Sequence, residues 1–304
     1  MQTFLNPELI DRHRKILRRY LWTRRGSIRQ VPELIAQGAN NALYRFYIAG
    51  RPLLAKIGMN PFYRQLHIEY AVLCHAGAVG PVPVDYFDDV RSGLQVLLVE
   101  QLDGVHPFVL DDAGLRAAGR AIAAYHTCRE KIGEVPEEHG VSFISGRILR
   151  VRNYGGVEGY CDRFDRLYSL LLANADREGM VPDSGKSVLV HGDLTPRNII
   201  AHPSGSLRII DWEGARYDVP EADLATFVKA YHLEGERRDR FFAAYGLPVD
   251  RNIFNFRLAV HYVQVIAWRL AIQLPRERGD HYNEVLSELE EEFTAAEKLI
   301  SLYP

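Results

Sequence analysis

Cysteine is scarce in this sequence. The 304 residues include three cysteines, Cys74, Cys128 and Cys161, which are widely separated, odd in number and without any C-x-x-C pairing. This usage supports neither a disulfide framework nor a zinc site. We therefore expect a protein of the reducing cytoplasm.

Long apolar runs and a strong net charge are also lacking. No uninterrupted apolar run approaches the roughly 18 residues needed to cross a membrane, and the sequence begins without a basic segment that leads into an apolar one. The net charge is −2, whereas nucleic-acid binders normally carry a basic excess. With 47% hydrophobic and 25% charged residues, the composition predicts a soluble globular protein with no transmembrane segment and no nucleic-acid partner.

The most informative stretch runs from His191 to Asn198 and reads HGDLTPRN. It follows the apolar run Val188–Val190 directly, and its glycine and proline favour a loop over a helix. Because a loop that leaves a strand can aim several side chains into one cleft, we expect Asp193 and Asn198 to serve a common site.

A second apolar run, Leu207–Ile210, ends at Asp211. The turn Pro203–Gly205 between the two apolar runs predicts a hairpin that returns the chain to the same cleft. Oxygen donors from Asn198 and Asp211 suit a magnesium ion that bridges nucleotide phosphates, and the carboxylate of Asp193 can take a proton from an acceptor hydroxyl. An isolated H-x-D turn is more often a capped, solvated loop. The prediction of a site at this motif therefore depends on further features elsewhere in the chain.

The N-terminal third carries short β-rich runs separated by glycine and asparagine turns. They predict a five-stranded antiparallel sheet with strands near 31–35, 43–48, 52–57, 85–87 and 94–99. Lys56 lies inside the third run, where an unpaired ammonium would be costly. The next segment, 61–76, predicts a helix that turns Glu69 inward. We therefore expect Lys56 and Glu69 to pair with each other; the alternative is two ordinary surface side chains.

H-x-D-x-x-x-x-N followed by Asp211-Trp212-Glu213 resembles the aminoglycoside phosphotransferase and choline kinase group of the protein-kinase-like fold. Residues 37–46 also resemble the nucleotide loop of that group, G-x-S-N-x-L-Y-R-V, with matches at Gly38 and Asn41. Thr195 departs from the protein-kinase pattern, which usually has lysine there, so that phosphate contact must be absent or supplied elsewhere.

The resemblance implies an α+β fold of two lobes: an N-terminal lobe over 1–100, a hinge at 101–104 and a mainly helical lobe over 105–304. It implies a phosphotransferase that uses ATP, with GTP as the alternative, and Mg²⁺. The implied site residues are the catalytic Asp193, the metal ligands Asn198 and Asp211, and the nucleotide-binding Gly38, Asn41, Lys56, Glu69 and the hinge positions Glu100 and Leu102.

The remaining chain is mainly helical by periodicity. Helices are predicted near 111–126, 158–175, 235–245, 251–273 and 279–300, with an irregular excursion over 129–155. His126 is expected to be structural, and Asp223 is expected to cap the helix it opens or to brace the catalytic loop.

The acceptor is expected to be the hydroxyl of a small molecule that is aminoglycoside-, choline- or sugar-like. The acidic run 288–292 with Glu297 fits an aminoglycoside pocket or a solvated helix face equally well. Aromatic residues His261, Tyr262 and Trp268 fit a cation cage or, more commonly, core packing. A basic helix over 6–22 suggests peripheral contact with an anionic surface, although a solvated face is the commoner outcome.

Three alternatives compete with a small-molecule kinase. The first is a nucleotide-binding pseudokinase, which would most simply lack one of Lys56, Asp193, Asn198 or Asp211, and none is missing. The second is a metal-dependent phosphoesterase, which would not need Lys56 and Glu69 in their positions. The third is a kinase of a lipid or lipopolysaccharide-core acceptor. The sequence does not indicate an oligomeric state.

Overall fold

A computed structural model describes residues 7–25, 31–38, 40–59, 65–75, 79–128, 130–137, 159–175, 187–274, 277 and 279–303. The chain forms two compact units. The first contains Met1–Pro107, Glu130–Val135 and Arg197–Ala215, and the second contains Phe108–Arg129, Pro136–Pro196 and Arg216–Pro304. The lobe boundary at 101–104 stays a prediction.

The first unit is built on the five-stranded antiparallel sheet that the sequence predicts. Its strands are β1 (Glu33–Gln37), β2 (Asn41–Ile48), β3 (Arg51–Gly58), β4 (Pro83–Asp89) and β5 (Leu94–Glu100). Their spatial order is β1-β2-β3-β5-β4. In the central strand β3, Lys56 is opposite Leu43 on one side and Leu97 on the other.

The predicted N-terminal helix, α1 (Pro7–Arg25), packs on this sheet. Ile16, Leu17 and Leu21 lie in one buried cluster with side chains of β2, β3 and β5. His13 is fully buried beside Tyr44, with 3.1 Å between the imidazole Nδ1 and the phenol oxygen. Burial lowers the pKa of His13 to about 4, so the helix presents a neutral imidazole to the sheet.

One strand pairing differs from the sequence prediction. The Pro203–Gly205 turn joins β7 (Ile199–Ala201) to β8 (Leu207–Ile209), whereas β6 (Val188–Val190) pairs with β9 (Arg216–Asp218). The hairpin predicted at this turn is confirmed, but the strand that pairs with β8 is β7 and not the run 188–190. The reason is that the three-residue β7 begins directly after Asn198 and takes the place beside β8.

Helices dominate the second unit. They are α3 (Asp112–His126), α4 (Tyr160–Ala175), α5 (Glu221–Ala230), α6 (Gly235–Tyr245), α7 (Arg251–Trp268) and α8 (Asp280–Ile300), and a π-helical turn, Arg269–Gln273, continues α7. Their core gathers Phe164 from α4, Phe256 from α7 and Phe293 from α8. Of the predicted excursion 129–155, residues 129 and 138–155 lie outside the described residues. Within the described chain, no helix is long and apolar enough to span a membrane.

Candidate active site

The ion pair between Lys56 and Glu69 joins the central strand of the sheet to α2 (Leu66–His75). The ammonium Nζ of Lys56 lies 2.7 Å from the Glu69 carboxylate, and both side chains are largely buried. Alternation along β3 turns Lys56 toward α2, and the apolar face of α2 buries Leu66, Val72 and Leu73 around the carboxylate.

Two further carboxylates contact the same lysine. Lys56 donates a hydrogen bond to Asp211, and the Glu213 carboxylate lies 3.4 Å from its Nζ. Burial opposes the charge of Lys56, but Glu69, Asp211 and Glu213 outweigh it and raise its pKa. Burial also raises the pKa of Glu69, and Asp211 and Glu213 add to that effect against Lys56. One cation thus faces three carboxylates, which leaves a surplus of negative charge.

The turn after β8 sets the direction of Asp211. Asp211 has φ 68°, a left-handed conformation uncommon for a residue with a side chain, and a 3₁₀ turn over Trp212–Gly214 follows it. Trp212 is fully buried, and its indole Nε1 donates to the Ile209 carbonyl at 3.0 Å. Gly80 packs so closely that a Cβ there would lie 2.5 Å from Leu73. This packing holds the strained turn and keeps Asp211 beside Lys56.

Asn41 connects the predicted nucleotide loop to this turn. Its side-chain Nδ2 donates to the Glu213 carboxylate at 2.6 Å, and its backbone carbonyl accepts from the Gly38 N–H at 2.8 Å. The sequence motif contains Asn41 but does not indicate Glu213 as its partner. The available signal was the acidic residue at the third position of Asp211-Trp212-Glu213, where the protein-kinase motif has glycine.

A cavity of about 220 Å³ lies between these residues and the end of β5. Its polar end includes Lys56, Asn198 and Asp211, and its apolar walls include Leu43, Leu54, Pro81, Leu97, Val99, Ile200 and Ile210. The predicted hinge positions Glu100 and Leu102 also line it. The Glu100 N–H donates to Val82 and the Gln101 N–H to Pro52, whereas the Leu102 N–H has no hydrogen-bond partner among the described residues.

Asn198 and Asp211 bracket the β7–β8 hairpin. The Ile210 N–H donates to the Asn198 carbonyl at 2.9 Å, and the side chains of Asn198 and Asp211 line the same cavity. Carboxylate oxygens of Glu69, Asp211 and Glu213 lie within 4.8 Å of one another. Hard oxygen donors with surplus negative charge fit a magnesium ion.

Asp193 belongs to the second unit and is exposed in the loop after β6. The buried carboxylate of Asp223 lies under this loop and accepts hydrogen bonds from the N–H groups of His191 and Gly192 at 2.7 and 2.8 Å. The Tyr125 hydroxyl donates to it at 2.7 Å. Burial would raise the pKa of Asp223, but His126, His191 and Tyr125 lower it to about 2. Because Pro220 occupies the N-cap of α5, Asp223 braces the loop and does not cap the helix.

The candidate acceptor-binding residues of the second unit form ion pairs and a cation–ring contact with other protein side chains. Glu292 is buried and pairs with Lys229 at 3.0 Å and with Arg269 at 2.8 Å. The Lys229 ammonium lies 5.1 Å from the centre of the Tyr262 ring. Arg163 pairs with two more acidic residues of α8, Glu290 and Glu297. These contacts neutralise much of the acidic run and occupy one aromatic face.

Known proteins resemble the chain in both sequence and fold. It is 29% identical over 186 residues to acyl-CoA dehydrogenase family member 11 of Gallus gallus, in an alignment that covers 55% of this chain and 23% of that protein. The chain thus spans about a quarter of the length of this curated relative.

Two solved structures show the protein-kinase-like fold. Spectinomycin phosphotransferase, crystallised with ADP and spectinomycin, is 15% identical with a TM-score of 0.68, covering 94% of this chain and 98% of that one. The choline kinase LicA of Streptococcus pneumoniae is 15% identical with a TM-score of 0.64, covering 93% and 99%. These similarities confirm the predicted fold class.

A family model confirms the resemblance found in the sequence. The model is described as the phosphotransferase enzyme family, APH, and it matches residues 32–255. This stretch includes every residue from Gly38 to Asp223 that the sequence motifs single out. Because the match extends over well more than half of the 304 residues, the chain belongs to the phosphotransferase enzyme family.

Proposed function

We propose that this phosphotransferase transfers the γ-phosphate of ATP, in the presence of Mg²⁺, to a hydroxyl of a small molecule. The observation that carries the proposal is the arrangement of Lys56 between Glu69 and Asp211 at the polar end of an apolar cavity. ADP in the spectinomycin phosphotransferase structure and AMP in a structure of LicA support a nucleotide here.

The cavity suggests how a nucleotide would bind. An adenine ring suits the apolar walls near Leu97 and Leu102, where the Leu102 N–H can donate to a ring nitrogen. The phosphates would extend toward Lys56, beneath the loop that begins at Gly38. Asn198 and Asp211 would hold Mg²⁺, which when bound neutralises charge on the β- and γ-phosphates. GTP in place of ATP is the alternative, and a comparison of the Kd values for ATP and GTP by calorimetry tests it.

The chemistry assigned to Asp193 is proton transfer. The acceptor oxygen attacks the γ-phosphorus, the bond from that phosphorus to the β-bridging oxygen breaks, and ADP leaves with the electron pair. The hydroxyl proton passes to the Asp193 carboxylate. Asp223 holds the loop through the backbone of His191 and Gly192, so we assign it a positioning role.

The contacts on α8 favour a neutral, hydroxyl-rich acceptor over a polycation. An acidic pocket for an aminoglycoside needs free carboxylates, whereas Glu290, Glu292 and Glu297 are already paired. A choline-like cation needs an open aromatic face, and Lys229 occupies one face of Tyr262. Sugar-like alcohols are therefore the first acceptors to test.

An acceptor screen tests this function. ADP formation would be measured with ATP and Mg²⁺ over a panel of sugars, choline, ethanolamine, aminoglycosides and lipid alcohols, after subtraction of acceptor-free ATP hydrolysis. Hydroxyacyl-CoA thioesters belong in the panel because the Gallus gallus relative is named for an acyl-CoA dehydrogenase family. Asp193→Asn is the matched control. Tight nucleotide binding without turnover on any acceptor would favour the pseudokinase, and ATP-independent phosphate release would favour the phosphoesterase.

We also propose that α1 contacts anionic lipid. Arg12, Lys15 and Arg18 are exposed on one side of the helix, and Trp22, 69% exposed, follows one turn later. Basic residues contribute on the order of 1 kcal/mol each near an anionic surface. Co-sedimentation with phosphatidylserine vesicles should therefore be weak, lost in high salt and lost when the three cations become glutamine. Equal binding to phosphatidylcholine vesicles would contradict the proposal.

A further inference from the structure

Glu213 connects the turn after β8 to two adjacent strands, β2 and β3, that lie far from it in sequence. Its carboxylate lies 2.6 Å from the Asn41 amide and 3.4 Å from the Lys56 ammonium, and it follows Asp211 by two residues. The side chain is 16% exposed. No sequence motif assigned it a role, yet it contacts both the nucleotide loop and the lysine.

The direction of the bond to Asn41 is fixed by chemistry. An ionised carboxylate can only accept, so the Asn41 Nδ2 must donate. The other end of the amide, Oδ1, is buried and has no hydrogen-bond partner among the described residues. Leaving a buried acceptor unpaired costs free energy. The hydrogen bond from Nδ2 to Glu213 is the contact that offsets this cost and keeps the Asn41 amide in its observed orientation.

Asn41 stands where the sheet ends and the loop begins. It is the first residue of β2, opposite Gly58, the last residue of β3. Its backbone carbonyl accepts from Gly38, and the neighbouring Asn40 carbonyl accepts from Met59. The position of the Asn41 side chain is therefore coupled to the backbone at the base of the proposed nucleotide loop.

We propose that Glu213 is a positioning residue, a latch that holds Asn41 and so fixes the loop base relative to Lys56 and Asp211. The latch concerns the same site as the proposed function, and its effect on nucleotide affinity rests on that proposed function. It sets nucleotide affinity through a hydrogen bond between protein side chains. The competing role is direct metal ligation, since Glu213 is one of the three clustered carboxylates.

A reciprocal exchange separates the two roles. Asn41→Asp places two carboxylates against each other, whereas the double variant Asn41→Asp/Glu213→Gln restores the bond with its direction reversed, because the glutamine amide can donate to the aspartate. Glu213→Gln alone can still accept from Asn41 through its carbonyl oxygen. Asn40→Asp adds the same charge one residue away and is the matched control.

The latch predicts a specific pattern of nucleotide affinities. With ADP in EDTA, measured by calorimetry, Asn41→Asp should weaken binding about tenfold or more, and the double variant should recover to within about threefold of wild type. Asn40→Asp and Glu213→Gln should each stay within about threefold. The same titrations repeated with Mg²⁺ test the competing role: if Glu213 ligates the metal, Glu213→Gln and the double variant will both lose the gain in affinity that Mg²⁺ gives the wild type, and the latch is overturned.

Thermal melting of the ligand-free protein tests the latch independently of any nucleotide. Asn41→Asp should lower Tm and the double variant should raise it again. If Asn41→Asp is too unstable to purify, a purifiable double variant with a Tm near that of the wild type gives the same answer. A double variant that melts no higher than Asn41→Asp would overturn the latch whatever the binding data show. Wild-type protein that binds neither ADP nor ATP would instead refute the proposed function, and the melting series would still decide the latch.

Discussion

Lys56 contacts three carboxylates, so its removal should cost far more than the removal of any one acid. The informative pair of variants is Lys56→Met and Glu69→Gln. Both keep approximate side-chain volume and delete one charge. Lys56→Met leaves Glu69, Asp211 and Glu213 facing one another without a counter-charge, whereas Glu69→Gln leaves Lys56 with two carboxylates.

The distances set the expected sizes. At an effective dielectric constant of about 20, the 2.7 Å contact of Lys56 with Glu69 is attractive by about 6 kcal/mol. Glu69 is also repelled by Asp211 and Glu213, whose oxygens lie within 4.8 Å, by about 3.5 kcal/mol each or slightly more. Attraction and repulsion nearly cancel for Glu69. Asp211 is 37% exposed, so solvent screens its share.

The stability prediction follows from this near-cancellation. Glu69→Gln should change the free energy of unfolding by less than about 1 kcal/mol, whereas Lys56→Met should lower it by about 3–5 kcal/mol, the usual cost of an uncompensated buried charge. Urea unfolding in EDTA at neutral pH measures both. Added Mg²⁺ should restore stability in Lys56→Met more than in wild type, because it supplies the missing positive charge.

The same variants give a kinetic prediction. Glu69 is expected to act on catalysis only through the rotamer of Lys56, so the double variant should lose little more kcat/KM than Lys56→Met alone. The corresponding coupling is on the order of 1–3 kcal/mol. Equal loss of stability in the two single variants, or kinetic effects that simply add, would refute the reasoning.

Four further outcomes are expected. Asp193→Asn should abolish phosphoryl transfer while the Kd for ATP, measured by calorimetry, stays within a few-fold. Asp211→Ala should remove Mg²⁺-dependent ATP binding more completely than Asn198→Ala, since an amide lacks the charge. The pKa of Asp223 is lowered from 3.8 to about 2, so it should stabilise the fold by about 2 kcal/mol at neutral pH and lose this as pH falls through about 2; acid titration of Asp223→Asn should lack that loss. Gly104→Ala should lower Tm, because its φ is +141° and a Cβ would lie 2.4 Å from the Ala201 carbonyl oxygen.

Local patterns in the sequence were enough to predict the sheet and most helices. Alternation in β3 and the apolar stripe of α2 are properties of short segments, and each places one charged residue on a buried face. Two opposite charges on buried faces of adjacent elements can offset the free-energy cost of burial by forming an ion pair. That argument brings Lys56 and Glu69 together without any knowledge of the tertiary structure.

Pairings over longer distances were harder to predict. The apolar runs that became β6 and β8 were visible in the sequence, whereas β9, Arg216–Asp218, has no apolar run, and each of these strands has only three residues. Which two strands pair depends on β7, whose Ile199 and Ile200 directly follow the predicted loop His191–Asn198 and had no strand prediction of their own. Short strands carry too few alternating positions to specify their own register.

The role of Glu213 could not be predicted from the sequence for a related reason. A carboxylate two residues after Asp211 is compatible with a solvated turn, and only the fold brings it to Asn41, 172 residues away. The left-handed Asp211 and the buried Trp212 set the turn that directs Glu213 inward. With Glu213 present, the cluster holds one more negative charge than a Lys56, Glu69 and Asp211 triad would. Glu213, which has no assigned role in the sequence motifs, therefore adds to the surplus of negative charge around Lys56.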